Sequence, residues 1–192
     1  MGRVQAMMVG AAVALAVAMP LAATGCGGGD GSDNAKASTP QGFKRTETPD
    51  FTLALPDAWT VDKGKQDTGS GEFIEARPPG TDVNRLQLRV ASSHDYKSGI
   101  ADAAQLAEGE VPIRRPGATR VVSKPVEVDG AQDARRIEWT VPAGGGIDAA
   151  RIVTVLALSA DRTLVNLSVG VAQSDVGSAR IDDVVGSLKV GR

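Results

Sequence analysis

Residues 151–171, RIVTVLALSADRTLVNLSVGV, hold two apolar runs separated by a short turn signal, Ala160-Asp161-Arg162. The first run, residues 151–159, is apolar on both faces, which is typical of a central strand that is covered on two sides. In the second run every other residue is apolar, namely Val165, Leu167, Val169 and Val171. The stretch therefore predicts an antiparallel hairpin at the centre of a sheet.

Alternation with a period of two recurs in 51–56 (FTLALP), 85–90 (RLQLRV) and 136–141 (RIEWTV). In the last of these, Ile137, Trp139 and Val141 share one face, so we expect Trp139 to be a core residue under a helix. We expect Trp59, at the end of the first strand, to be a core residue as well. The pair Asp129-Gly130 is a strong hairpin signal ahead of residues 136–141, and the predicted strands are mostly antiparallel.

Two segments have the spacing of amphipathic helices. In the first, Ser98 is the predicted N-cap and Pro112 the predicted end. Its apolar stripe is Ile100, Ala103, Ala104, Ala107 and Val111. The second begins after Ser174 or Asp175, with the stripe Gly177, Ile181, Val184 and Leu188. Residues 50–192 are therefore predicted to form one α+β domain, an antiparallel β-sheet flanked by helices.

The segment 51–61, FTLALPDAWTV, followed by strands, a helix, long hairpins and a terminal helix, resembles the PsbP-like superfamily. The match to its opening motif consists of Phe51, Leu53, Leu55, Pro56 and Trp59, with Ala58 where that family usually has glycine. The resemblance implies a PsbP-like sandwich, a sheet flanked by helices, and a binding module without catalysis.

Residues 1–25 have the pattern of an export signal. Arg3 is the only charge before Asp30, and Met7 to Ala23 is an apolar run rich in Ala and Val. A positive start, an apolar middle and small residues at the end are typical of a secretory signal peptide.

Cys26 is the only cysteine, and the residues Ala23-Thr24-Gly25-Cys26 resemble the lipobox of bacterial lipoproteins. The family prefers leucine where Ala23 stands. The resemblance implies that the thiol takes a diacylglyceryl group and anchors the exported chain to the outer face of the cell membrane. The alternative is an ordinary signal peptide with a chance cysteine. Residues 26–49, rich in Gly, Ser, Asp and Thr, are predicted to be the lipidated cysteine and a flexible linker.

Composition and motifs argue against several functions. A formal net charge of −2 does not suit a nucleic-acid binder, which needs a basic surface. His94 is the only histidine, and although Ser92, Ser93 and Asp95 lie beside it, no G-x-S-x-G elbow occurs in the sequence. One histidine and scattered carboxylates favour no metal site. We therefore predict that the chain is not an enzyme and holds no metal or cofactor.

Basic residues cluster in 113–124, IRRPGATRVVSK. They are Arg114, Arg115, Arg120 and Lys124, and they predict either a patch for an anionic partner or a solvated sheet edge. The function predicted from these features is that of a membrane-anchored, monomeric binding or scaffolding module for an envelope protein or polymer. The alternatives are a small-ligand or lipid carrier, using space left by Ala103, Ala104 and Ala107, and an enzyme of unknown type.

Overall fold

A computed structural model describes residues 39–67, 71–80, 86–144, 148–177 and 179–191. The predicted signal peptide and Cys26 lie outside the described residues. The strands are β1 Phe43–Glu47, β2 Phe51–Pro56, β3 Thr60–Lys65, β4 Glu72–Arg77, β5 Leu86–Ser93, β6 Thr119–Pro125, β7 Asp133–Val141, β8 Ala150–Leu158, β9 Leu164–Ala172 and β10 Lys189–Val190. The helices are α1 Ile100–Arg114 and α2 Ile181–Gly186, with a short 3-10 turn at Gln173–Asp175.

The strands form two sheets in which every strand pair is antiparallel. The larger has the order β3-β4-β5-β9-β8-β7-β6, and the smaller has the order β1-β2-β10. The predicted α+β class with an antiparallel sheet and flanking helices is confirmed.

The hairpin β8–β9 lies at the centre of the larger sheet, as predicted, with Leu158 paired to Leu164 across the turn. One face of the hairpin packs against the smaller sheet and α2 in a large apolar core. Its residues from β8 and β9 are Val153, Val155, Ala157, Val165, Leu167, Val169 and Val171, each at most 1% exposed. This face joins the two sheets into a sandwich.

The opposite face of β7 and β8 packs against α1 in a second apolar cluster that contains Ile137, Trp139, Leu156 and Leu158. Trp139 is 1% exposed and lies under α1, as predicted. Trp59 is also buried, in the first core, which confirms the expectation for it.

The boundaries of α1 differ from the prediction. Gly99, not Ser98, is the N-cap, and its N–H donates to the Asp102 carboxylate at 3.3 Å. The helix continues past Pro112 to Arg114. Proline is tolerated there because it removes only one hydrogen bond in the last turn, while the Arg115 N–H still bonds to the Val111 carbonyl at 2.8 Å.

The terminal helix is shorter than its apolar spacing predicted, and Gly177 and Leu188 lie outside it. Arg180, immediately before α2, has a left-handed backbone with φ of 48° and so breaks any helix that began earlier. Ser187 ends α2 by donating to the Val184 carbonyl at 2.6 Å, and its hydroxyl accepts the Ala54 N–H of β2 at 2.8 Å. Leu188 is buried all the same, because the chain after α2 enters the core directly.

The predicted linker, residues 26–49, extends too far. Residues Phe43–Glu47 form β1, which pairs with β2, and Phe43 and Thr46 are buried. The folded domain therefore begins before residue 50. Phe43 is the only apolar side chain in this strand, so its sequence has no visible alternation.

The Asp129-Gly130 pair lies in the connection between β6 and β7, which form the predicted hairpin. This connection packs on the C-terminal strand, where the Val190 N–H donates to the Asp129 carbonyl at 2.8 Å. Gly130 has φ of +79°, and a Cβ at this residue would lie 1.9 Å from the Val190 carbonyl oxygen. The glycine is therefore required both by its backbone angle and by the close approach of β10.

We expect Gly130→Ala to lower the free energy of unfolding by about 2 kcal/mol or more, since the left-handed backbone alone costs alanine about 1–2 kcal/mol. Gly42→Ala is the matched control: Gly42 has the same φ of +79°, but nothing lies within 4 Å of its Cβ position. Urea denaturation of both variants measures the difference. Equal losses in the two variants would mean that the contact with Val190 adds nothing.

Candidate functional site

Helix α1 covers only part of the sheet face on which it lies. It packs on β7 and β8 through Ile100, Ala103 and Ala104. Of the described residues of β9, Leu164 packs against the same cluster, whereas Asn166 on this face is exposed, as are Gln87 and Arg89 of β5. A groove of about 630 Å³ runs between the edge of α1 and the uncovered strands. This volume lies within the range typical of small-molecule sites.

The floor of the groove is polar because it consists of the outward residues of the β5 and β9 alternation. Gln87 and Arg89 of β5 and Asn166 and Ser168 of β9 line it. The register pairs Arg89 with Ser168 across the β5–β9 ladder. Thr154 of β8 continues this row, and its hydroxyl lies 3.5 Å from that of Ser168.

Three of the described arginines line the groove: Arg89 on the floor, and Arg114 and Arg115 at the end of α1. Two of the described carboxylates, those of Glu75 and Glu110, line it as well. The Arg89 Nε lies 3.7 Å from Glu75, and the Arg114 guanidinium contacts Glu110 at 2.6 Å. Both pairs are more than one third exposed on each side, so each contributes at most about 1 kcal/mol to stability.

The four basic residues predicted as a patch do not form one surface. Arg114 and Arg115 line the groove, whereas Arg120 lies on β6 and is held by Glu108 of α1. Lys124 pairs in register with Arg136, and the alternation of the strand puts it on the sheet face opposite α1. Arg89 of β5, which the sequence analysis did not single out, lines the groove with Arg114 and Arg115 instead of Arg120 and Lys124.

The three small residues of α1 that were predicted to leave space for a ligand lie in different environments. Ala103 and Ala104 are buried in the cluster beneath the helix, and Ala107 lines the groove. The apolar residues that line the groove include Ala107, Val111, Val141 and Ile152, whereas its floor on β5 and β9 is largely polar.

The structure brings His94 and Ser92 to one carboxylate, that of Asp50, which the sequence did not single out. The His94 Nε2 lies 2.9 Å from the Asp50 Oδ2, and the Ser92 hydroxyl donates to the same oxygen. Ser92 is fully buried and also accepts the Glu72 N–H at 2.8 Å. The carboxylate stands between serine and histidine, so the imidazole is not placed to deprotonate the hydroxyl, as a nucleophile–base pair requires. This cluster ties the start of β2 to the end of β5.

Among the described residues, no group of three or more His, Cys, Asp or Glu side chains is placed to bind a metal ion. None of the helices in the described ranges has the length and apolar character needed to cross a bilayer.

A second cavity, of about 380 Å³, lies beside α2 and β10. Its carboxylates are largely engaged: Asp129 binds Lys189, and the Asp182 Oδ1 accepts from the Arg136 Nη2 at 2.5 Å. Arg136 in turn donates to Glu138 at 2.7 Å. These charged groups beside the second cavity are therefore paired with one another within the fold.

No protein-family model and no curated protein matches the sequence. Solved structures do match. Cyanobacterial PsbP (CyanoP) from Synechocystis is 13% identical, with a TM-score of 0.55 over 83% of this chain and 98% of that one. LpqN of Mycobacterium tuberculosis, involved in cell envelope biogenesis, is 14% identical, with a TM-score of 0.51 over 78% of this chain and 92% of that one.

The fold is PsbP-like. The likeness confirms the predicted sandwich, but at this level of identity it shows the architecture alone. It tests neither a function of the groove nor the lipid anchor, which stays a prediction.

Asp182 provides a test of the charge network beside the second cavity. The hydrogen bond from Arg136 lowers the pKa of this carboxyl, and the charges of Arg136 and Arg151 act in the same direction, while desolvation opposes them. Because the folded pKa lies below the unfolded value of about 3.9, the stabilisation is present above that value. It is lost as the pH falls through the folded pKa.

We expect Asp182→Asn to lower the free energy of unfolding at pH 7 by about 1 kcal/mol or less, since the side chain is 67% exposed. The deficit should shrink as the pH falls below about 4 and through the lowered pKa of the folded state, where the wild-type carboxyl also loses its charge. Asp62→Asn is the control, because Asp62 is exposed on β3 and has no ion pair among the described residues. Urea titrations at pH 3 and pH 7 measure both variants, and a deficit independent of pH would contradict the role of the charge.

Proposed function

We propose that the chain is an exported lipoprotein, anchored to the outer face of the cell membrane through diacylglyceryl-Cys26. In this proposal its PsbP-like domain is a monomeric, non-catalytic binding module of the cell envelope. The groove between α1 and the β5–β9 floor is its binding face.

The groove supports the binding role. It is open, has a volume suited to a ligand, and carries the side-chain amides of Gln87 and Asn166. Neither amide has a hydrogen-bond partner within the described ranges. Free donors and acceptors in a concave site are what a ligand-binding surface needs.

The arrangement around Asp50 supports a module without catalysis. The described residues with the best claim to nucleophile chemistry, Ser92 and His94, both bind the same carboxylate oxygen. The hydroxyl is buried and is already held by the Glu72 N–H. A nucleophile must instead be exposed and must contact its base directly.

The anchor rests on Cys26, at the end of an apolar leader and within a lipobox-like sequence. Two acyl chains on the thiol would supply the two membrane signals that stable anchoring requires. LpqN, which shares the fold, is involved in cell envelope biogenesis of Mycobacterium tuberculosis, and this agrees with an envelope location for the present chain.

The first test concerns the anchor. We expect Cys26→Ala to abolish labelling by a palmitate analogue and to leave the chain as unprocessed precursor or release it to the medium, because the lipid acceptor is gone. Ser32→Ala, a small polar residue changed nearby, is the control and should label normally. Labelling in gels and cell fractionation measure both, and unchanged labelling of Cys26→Ala would overturn the anchor.

The second test concerns the binding face. In intact cells, p-benzoylphenylalanine in place of Gln87, on the groove floor, should yield a photo-crosslinked adduct. The same residue in place of Leu106, which is 70% exposed, should not, because α1 packs on the sheet by its other side.

A substitution that fills the groove tests whether the adduct depends on the groove volume. A Cβ at Gly170 would meet only Ile152, at 4.0 Å, so Gly170→Gln should fit the fold and occupy groove volume. It should reduce the adduct from position 87 at least fivefold. Gly109→Gln, on open space at α1, should leave the adduct unchanged. No adduct from position 87, or equal adducts from positions 87 and 106, would contradict the groove as the binding face.

A further inference from the structure

Among the residues that the structure describes, the lining of the groove has an excess of positive charge that is only partly paired within the fold. Three guanidinium groups line it against two carboxylates, those of Glu75 and Glu110, and the Arg89 guanidinium also lies 5.8 Å from the centre of the Phe73 ring. Arg115, half-buried at the end of α1, has no ion pair among the described residues. By contrast, Arg136 and Arg151 on the other sheet face share the Glu138 carboxylate, with contacts of 2.7 Å and 2.8 Å.

The two carboxylates in the groove hold their arginines weakly enough for a ligand to compete. Arg89 is 54% exposed and lies 3.7 Å from Glu75, beyond hydrogen-bond distance. Glu110 holds Arg114 as an exposed pair within one helix. Pairs of this kind contribute at most about 1 kcal/mol, less than a bidentate bond from arginine to a bound anion can supply.

Neutral polar groups lie next to these cations on the floor. Arg89 is directly opposite Ser168, and Asn166 is opposite Ala91, one step further along the same face. Paired positions of this kind lie about 5 Å apart across the ladder, and positions two residues apart along a strand lie about 7 Å apart. Hydroxyl and amide groups at this spacing can bond several hydroxyls of one sugar ring.

We infer that the groove binds an acidic carbohydrate, a sugar unit that carries a phosphate or a carboxylate. The inference rests on the proposed role of the groove as the binding face, and it names the class of ligand. Arg89 and Arg115 bind the anionic group, since the planar guanidinium matches phosphate and carboxylate oxygens. The Asn166 amide and the Ser168 hydroxyl bind sugar hydroxyls on one side of Arg89, and the Gln87 amide binds those on its other side. The described lining of the groove contains no aromatic ring, so it offers no stacking platform for a nucleobase.

The test is a calorimetric titration of the full-length protein in detergent with glucose 1-phosphate, glucuronic acid and neutral glucose. We expect both acidic sugars to bind at least tenfold more tightly than glucose, and more weakly as salt is raised. Inorganic phosphate should bind at least tenfold more weakly than glucose 1-phosphate, because it lacks the hydroxyls.

Two variants locate the site. Arg89→Gln and Arg115→Gln should each weaken the binding of glucose 1-phosphate at least fivefold. Arg120→Gln, which removes the same charge on the other side of α1, should leave it unchanged. Thermal melting of each variant checks that the fold is kept. Equal losses in all three variants, or none in any, would overturn the inference.

Further titrations distinguish the possible sources of such a sugar, and they distinguish a sugar from an acidic polypeptide. Vesicles that contain phosphatidylinositol, compared with soluble inositol phosphate, distinguish a lipid headgroup from a free or polymer-borne sugar, and binding of either through Arg89 supports the inference. Glucose binding as tightly as the acidic sugars would overturn it, as would tight binding of polyglutamate alone through the same arginines. These last two outcomes would leave the groove as a binding face. The absence of a crosslinked adduct from position 87 would instead contradict the proposed function of the groove.

Discussion

A single helix, about 10 Å wide, packs on a sheet whose seven strands span about 29 Å, and the rest of the structure is arranged around this mismatch. Helix α1 buries the apolar residues of β7 and β8, including Trp139. Its width leaves Gln87 and Arg89 of β5 and Asn166 of β9 exposed. The opposite face has no such deficit, since a second sheet and α2 cover it and bury Phe51 and Leu53 against the central hairpin.

The uncovered half of the face must therefore be polar, and its polar groups differ from those elsewhere in the domain. Within the described ranges, no buried side-chain nitrogen or oxygen lacks a hydrogen-bond partner. On the far face, Glu138 is held by two arginines beneath α2. The amides of Gln87 and Asn166 and the charge of Arg115 are exposed in the groove and are not used in this way. Groups that do not stabilise the fold are the ones available to a ligand.

The pattern of hydrogen bonds among a set of reactive residues decides what chemistry they can perform. Ser92, His94 and Asp50 include the three residue types of a serine hydrolase, but both Ser92 and His94 bind the carboxylate. The result is a structural tie between two strands. A set of residue types in a sequence thus carries no chemistry until the contacts among its members are known.

Local pattern in the sequence was enough to predict the α+β class, the central hairpin and the burial of Trp139, because alternation and apolar content follow from which side of a strand faces the core. The motif around Trp59 pointed to the PsbP-like architecture. The pattern did not reveal β1, where Phe43 is the only apolar signal, nor the end of α2, which depends on the left-handed backbone of Arg180 and on the bond from Ala54 to Ser187.

The groove was decided by tertiary structure alone. Gln87 and Arg89 alternate with apolar residues in one predicted strand, and Asn166 and Ser168 do so in another, but about 80 residues separate the two pairs in the chain. Only the pairing of β5 with β9 makes them neighbours, and only the position of α1 on β7 and β8 leaves them open. The same placement separates Arg114 from Arg120, six residues away, by putting them on different sides of the helix. Alternation assigns a residue to a face of its own strand, whereas the site depends on which strands are adjacent and what covers them.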